Sequence, residues 1–333
     1  MKLLVTGVTG FLGGRIAERL VADGHDVRAL VREAVRSPGP PEGVAVVLGD
    51  VTDREAVLRA VRGCDAVVHA AALVRMWVRD RRSFHRVNVE GFEHVARAAI
   101  DRSARLIYVS SFLALGPSAG AILDETAIAD PVRCHNDYQR TKVEADRRAR
   151  ALSREGHDIV RLYPGVVFGP GRLTAGNHVV RLFLDHARGA LPGLLGRGDR
   201  SQCFAFVDDV VDGVRSALAH ARAGSGYVLG GENRTPLELF AAFARATGVP
   251  APTRRIPFVA ASVVGRAQRW RAALLGIEPD LTDEVVRIYR EEWAFSSARA
   301  ERDLGYRITP FDDAIRRTVQ WLHSIGALAP RKA

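Results

Sequence analysis

The chain has 333 residues, 47% hydrophobic and 26% charged, which suits a soluble globular fold of one large or two smaller domains and excludes extensive disorder. Its net charge of +10 comes from arginines interleaved with acids, as in "DREAVLRAVRGCD" and "EADRRARALSRE", so it reads as a solvated surface and not a nucleic-acid interface. Cys64, Cys134 and Cys203 are isolated and lack metal-ligand spacing, which excludes a disulfide framework or a zinc site and fits a reducing cytoplasm.

The opening "MKLLVTG" starts like a signal peptide, but its apolar run stops after three residues at a glycine-rich turn. Leu3–Thr6 therefore reads as a strand. In "VTGVTGFLGG" the glycines Gly7, Gly10 and Gly13 follow that strand and open a helix over Leu12–Ala22. Small residues there let the backbone turn tightly and approach a pyrophosphate at the helix N-terminus. Further strands are predicted at Val27–Val31, Val44–Leu48, Ala66–Ala70, Leu106–Ser110 and Ile159–Leu162. Helices are predicted between them at Arg54–Val61, Ser83–Ile100 and Asp137–Arg154. The alternation implies a doubly wound α/β fold, a parallel sheet with helices on both faces. From Pro164 glycine and proline interrupt the rhythm, and mostly helical segments follow at Asp208–Ala221, Pro236–Thr247, Val259–Leu275 and Leu281–Glu291. The expected division is a dinucleotide-binding part over 1–163 and a smaller, mostly helical substrate-binding part over 164–330, the two interleaved. The apolar "IPFVAASVVG" is cut short by Arg266, Arg269 and Arg271. It is too short to span a bilayer, and an amphipathic helix touching a membrane surface stays open.

One residue stands out. Of 48 basic residues only Lys2, Lys142 and Lys332 are lysine, and Lys142 alone is interior. It follows Tyr138 by four residues, so on a helix both share a face. A tyrosine ordinarily titrates near ~10, and a cation about 4 Å away would lower that by about three units. Such a phenol is a useful general acid or base at neutral pH. Lysine offers a compact ammonium, whereas arginine's planar fork has a different reach.

The GxxGxxG turn together with Tyr138-xxx-Lys142 resembles the extended branch of the short-chain dehydrogenase/reductase superfamily, the group of dihydroflavonol reductases and 3β-hydroxysteroid dehydrogenases. The resemblance covers nearly the whole chain, down to "SSARAERDLGY" and "AIRRTVQWL". It implies a Rossmann-type sheet and a cofactor site at Gly7, Thr9, Gly10, Phe11, Leu12 and Gly13. To these it adds Asp50 and Val51 of "GDVTD", Ala70, Ala71 and Ala72 of "HAAA", and Pro164, Val166 and Val167 of "YPGVV". Lys142 and Tyr138 would also touch the cofactor. It further implies a catalytic set of Ser111 from "YVSS", Tyr138 and Lys142, with Asn88 of "NVEG" steadying a proton path or capping a helix. The branch's NAD users carry an acid where this chain has Val31, and Arg32 follows. A guanidinium there, with Arg36 and Arg15 near, suits a 2′-phosphate, so NADP(H) is expected over NAD(H).

The implied reaction is hydride transfer between nicotinamide and a carbonyl carbon. Sugar-acting members differ from this chain at three places: Phe112 and Leu113 replace an acidic pair, Pro164 an asparagine, and Gln202 an arginine. A hydrophobic ketone or alcohol is expected, lined by Met76, Trp77, Phe112, Leu113, Phe168, Phe183 and Phe204. "YVLGGEN" and "ALVRMWVRD" resemble a bacterial group that includes hopanoid-associated sugar epimerases, so sugar epimerisation stays the alternative. A non-catalytic NADP(H)-binding sensor is the third reading. The family often pairs helices equivalent to Ser83–Ile100 and Asp137–Arg154 in a homodimer, which this sequence neither demands nor forbids. No partner other than a small molecule, and no metal, is expected.

Overall fold

In the first strand, Leu3 and Val5 point to one side and Leu4 to the other, and all three are fully buried. A strand apolar on both faces belongs in the middle of a covered sheet. The computed structural model describes residues 1–32, 39–75 and 77–328 and places it there. Arg36 and Met76 lie outside the described residues.

The first half contains β1 (Lys2–Thr6), α1 (Phe11–Ala22), β2 (Asp26–Val31), β3 (Ala45–Leu48), α2 (Arg54–Val61), β4 (Ala66–His69), α3 (Arg82–His85), α4 (Gly91–Asp101), β5 (Arg105–Val109), α5 (Asp137–Arg154) and β6 (Ile159–Pro164). The second contains β7 (Val166–Phe168), α6 (His178–Ala187), β8 (Leu194–Leu195), β9 (Gln202–Phe206), α7 (Val207–His220), β10 (Gly226–Leu229), β11 (Asn233–Arg234) and α8 (Pro236–Thr247). It closes with β12 (Arg255–Ile256), α9 (Phe258–Leu275), α10 (Asp283–Arg290), α11 (Ala298–Leu304) and α12 (Phe311–Ser324).

Seven strands pair in parallel in the order β10-β6-β5-β4-β1-β2-β3. This is the Rossmann order, and its direction reverses between β1 and β4. Ile16 and Leu20 of α1 and Val210 and Val214 of α7 cover the Leu3 and Val5 face. Val57 of α2, Phe92 and Val95 of α4, and Ala145 and Ala149 of α5 cover the Leu4 face. The seventh strand, β10, comes from the second half and pairs with β6 from Gly226–Arg161 to Leu229–Pro164. A separate small sheet, β11-β9-β7, packs with α6, α8 and α12 around a third core rich in phenylalanine.

The helix expected over Ser83–Ile100 is realised as α3 and α4 joined by a π turn at Arg86–Glu90. A π turn inserts one residue into a helical turn and re-aims the side chains beside it. Asn88 sits in this one.

Candidate active site

The glycine turn occupies the C-terminal end of β1, beside the point where strand order reverses. Gly7 has φ +80°, a left-handed backbone, and a Cβ there would lie 2.8 Å from the carbonyl of Ala70 and the nitrogen of Ala71. A Cβ on Gly13 would meet the Gly7 oxygen at 2.3 Å. Gly10 caps α1 without any side-chain hydrogen bond, so the first-turn N–H groups, at Phe11, Leu12 and Gly13, face an uncapped turn. Thr9 is exposed on its rim. Helix dipole and free donors favour an anion at such a place. The pyrophosphate cradle expected from the sequence fits this backbone.

Around it stand the other expected contacts. Ala71 N–H donates to Thr6 Oγ1 (3.2 Å), which also bonds His69 Nδ1 (2.9 Å). Asp50 takes two hydrogen bonds from Thr52, and Val51 is buried beside Gly91. Val31 ends β2 with an apolar side chain, and Arg32 beyond it is 75% exposed, 3.9 Å from Asp50. Pro164 ends β6; Val166 and Val167 on β7 are half-buried. The Arg15 guanidinium is paired with Asp208 (2.7 Å) and Glu18 (3.0 Å).

Ser111 follows β5, and its buried hydroxyl accepts from Leu113 N–H (3.3 Å). Tyr138 and Lys142 stand one turn apart on α5, whose start is fixed by Asn136 Oδ1 accepting from Gln139 N–H (2.8 Å). This helix buries Gln139, Thr141, Lys142 and Asp146 toward the sheet. Buried ionisable groups are rare without a task. Lys142 Nζ donates to the Val109 carbonyl (3.1 Å) and lies 5.3 Å from the Tyr108 ring. Burial lowers its pKa to about 8, with Asp146 acting to raise it. Burial raises the Tyr138 phenol to about 12, a hydrogen bond with Ser111 pulling part of the way back. The near-neutral tyrosine expected from the spacing is thus corrected: burial disfavours the phenolate, and the Lys142 ammonium is turned to the Val109 carbonyl.

Asn88 is no helix cap. Its Oδ1 accepts from Leu73 N–H (2.7 Å), and its Nδ2 donates to Thr141 Oγ1 (3.0 Å), one residue from Lys142. It ties the segment after β4 to α5. His69 has no role in the sequence reading, yet it is fully buried, its pKa lowered to about 3 by desolvation and then by Lys142. A neutral imidazole against Tyr108 (6.0 Å between rings) is therefore part of this wall. Only its place in "HAAA" signalled it.

The aromatic residues divide. Trp77, Phe84, Arg81 and Glu284 line a small cleft with Tyr138. Phe112 is half-buried against Trp293 (5.5 Å) and Phe295 (5.8 Å). Leu113, at 7% exposure, belongs to that same cluster. Phe168, Phe183 and Phe204 are core residues, not cleft residues: all are at most 3% exposed. Phe168 and Phe204 pack with Phe311, and Phe183 stacks on Phe243. Among the described residues no group of His, Cys, Asp and Glu could hold a metal.

Residues 3–230 match the NAD dependent epimerase/dehydratase family. The chain is 31% identical to a 2-alkyl-3-oxoalkanoate reductase of Stenotrophomonas maltophilia, over 92% of this chain and 94% of that protein. It is 29% identical to a 3-beta-hydroxysteroid dehydrogenase of Mycolicibacterium neoaurum, covering 92% and 86%. Among solved structures it is similar to the UDP-glucose 4-epimerase of Thermus thermophilus in complex with NAD, with TM-score 0.75, 26% identity and 97% and 99% coverage.

Proposed function

The chain belongs to the NAD dependent epimerase/dehydratase family of NAD(P)-dependent enzymes, and on that premise we propose an NADP(H)-dependent oxidoreductase that interconverts a hydrophobic ketone and its secondary alcohol. The observation that carries the reading is the hydrogen bond between Tyr138 and Ser111, with Lys142 one turn further along the same helix and held on the Val109 carbonyl at the end of β5. The turn at Gly7–Gly13 and the segment after β4 hold the dinucleotide. When bound, its nicotinamide exchanges a hydride with the carbonyl carbon.

The chain's own residues do the rest. Ser111 and Tyr138 hydrogen-bond the substrate oxygen, and Tyr138, protonated at neutral pH, gives it a proton. The ammonium of Lys142, on the same face of α5, stabilises the phenolate left behind. Asn88 holds that face in register through Thr141. Support for an apolar substrate comes from Trp77 beside Tyr138 and from the two relatives, a reductase and a steroid dehydrogenase. Gln202 stands where sugar-acting members have an arginine, and Arg200, two residues before it, pairs with Glu292 (3.7 Å). Support for NADP(H) comes from the apolar end of β2 and the exposed Arg32.

Tyr138→Phe is expected to lower turnover roughly 10²–10⁴-fold while leaving the NADPH dissociation constant unchanged; full activity in that variant overturns the site. Titration with both cofactors tests the second assignment, tighter NADH binding refuting it. The likeness to the UDP-glucose 4-epimerase favours one other reading, epimerisation. Product analysis separates them: stoichiometric NADPH loss marks a reductase, an inverted centre with unchanged cofactor an epimerase.

A further inference from the structure

Helix α9 is turned inside out relative to the rule for surface helices. Of its 18 residues only Ala261, Gly265 and Ala272 are buried. The inner face is small because it lies directly on the start of α10: a Cβ on Gly265 would meet the Asp283 nitrogen at 2.5 Å. The large apolar residues face outward. Val259 is 75% exposed, Val263 57%, Trp270 69% and Leu274 76%. At 100° per residue these four fall within about 60° of arc, one continuous stripe. Leu275, the last helical residue, and Ile277 just past the helix end are exposed as well, at 66% and 50%.

Single exposed apolar side chains are ordinary, but a contiguous set with a polar border marks a contact surface. The border along the helix is cationic; past its end the exposed Glu278 follows Ile277, paired with Arg75 (3.1 Å). Arg266 and Arg271 are exposed on either side of the stripe, Arg254 and Arg255 precede the helix, and Arg79 lies beside Gly276 at its end. No carboxylate occurs between Ile256 and Ile277. An apolar strip that carries tryptophan and leucine and has arginines along its edges suits a lipid headgroup layer, with the guanidiniums on anionic headgroups. No helix among the described residues is long and apolar enough to cross a membrane, so the contact is one of lying on the surface.

We propose that the outward face of α9 docks on an anionic membrane surface. The docking goes beyond the catalytic reading and does not depend on it. The face is nevertheless joined to the cleft: Arg269 of α9 pairs with Glu284 (3.2 Å), Glu284 with Arg81 (3.1 Å), and Arg81 with Asp137, the neighbour of Tyr138. A docked molecule would bring the cleft within reach of lipid-dissolved compounds.

The test is co-sedimentation of the full chain with vesicles of phosphatidylglycerol and phosphatidylcholine, or of phosphatidylcholine alone. The expected result is partition onto the anionic vesicles, weakened by high salt and absent from the neutral ones. The triple variant Val263→Ser, Trp270→Ser, Leu274→Ser is expected to lose at least about tenfold in partition. Its melting temperature and NADPH affinity should hold; should it melt lower, Trp270→Ser alone carries the comparison. Arg266→Gln with Arg271→Gln should weaken binding to the anionic vesicles. Wild-type protein that stays in the supernatant, or a serine variant that partitions equally, overturns the proposal. So does a wild-type dimer that the serine variant dissociates without any change in vesicle binding, which would make the face a self-contact. Partition is read without turnover, so an inactive but membrane-bound protein would sink only the catalytic reading.

Discussion

Tyr138, Lys142, Asp146 and Arg150 follow one another at intervals of four along α5, a single file facing the sheet. Asp146, 1% exposed, takes a 2.7 Å hydrogen bond from Arg150 and supports the charge of Lys142 from one turn away. Burial and this carboxylate act in opposite directions, and together they leave the ammonium titrating at about 8. A phenol that gives up its proton needs that ammonium charged. Below pH 8 Lys142 is protonated and the reductive kcat/KM should be level; above it the rate should fall as the charge is lost. Asp146→Asn removes the negative charge that favours the ammonium of Lys142, so the falling limb should move to lower pH. A pH profile of both proteins checks this, and an unmoved limb would detach Asp146 from the site. The oddity of Lys142 was plain in an arginine-rich chain. Asp146 and Arg150 were invisible among many similar charges, because only burial separates them from surface pairs.

Two short elements set the geometry around that file. The glycine turn is dictated locally: Gly7 needs a left-handed backbone, and Gly13 leaves no room for a side chain over the Gly7 oxygen. Gly13→Ala would force the turn open, so NADPH affinity should fall at least about tenfold, 1.4 kcal/mol, as isothermal titration would show. Unchanged affinity would mean that the turn is not the cradle. The π turn at Arg86–Glu90 was not legible, since one inserted residue leaves the helical pattern of its flanks intact. Helix α5, by contrast, could be bounded from sequence alone at Asp137–Arg154, where Asn136 supplies its capping oxygen.

Across the whole molecule, the sheet is completed by the second half of the chain. Strand β10 extends it beyond β6, and α7 with α11 covers the face opposite α2, α4 and α5. A fragment ending at residue 163 would leave Leu3, Val5 and Ile107 without part of that cover. It is expected to be insoluble or molten and to bind no NADPH, as expression and circular dichroism would reveal; a folded, binding fragment would show that the first half is self-sufficient. The same long-range packing decides which aromatic residues are core. Phe168 and Phe204 looked like pocket residues because their neighbours in space, Phe206 and Phe311, are set by how the small sheet meets α12.

The sequence by itself determined the alternation of strand and helix, the glycine turn and the tyrosine–lysine face, because each depends on contacts within a few residues. Only the tertiary structure decided that Arg15 is captured by Asp208, 193 positions away, and that burial lifts Tyr138 to about 12. It also decided that the apolar side of α9 faces outward. Desolvation and pairing depend on what the folded chain brings near, and no local pattern records that.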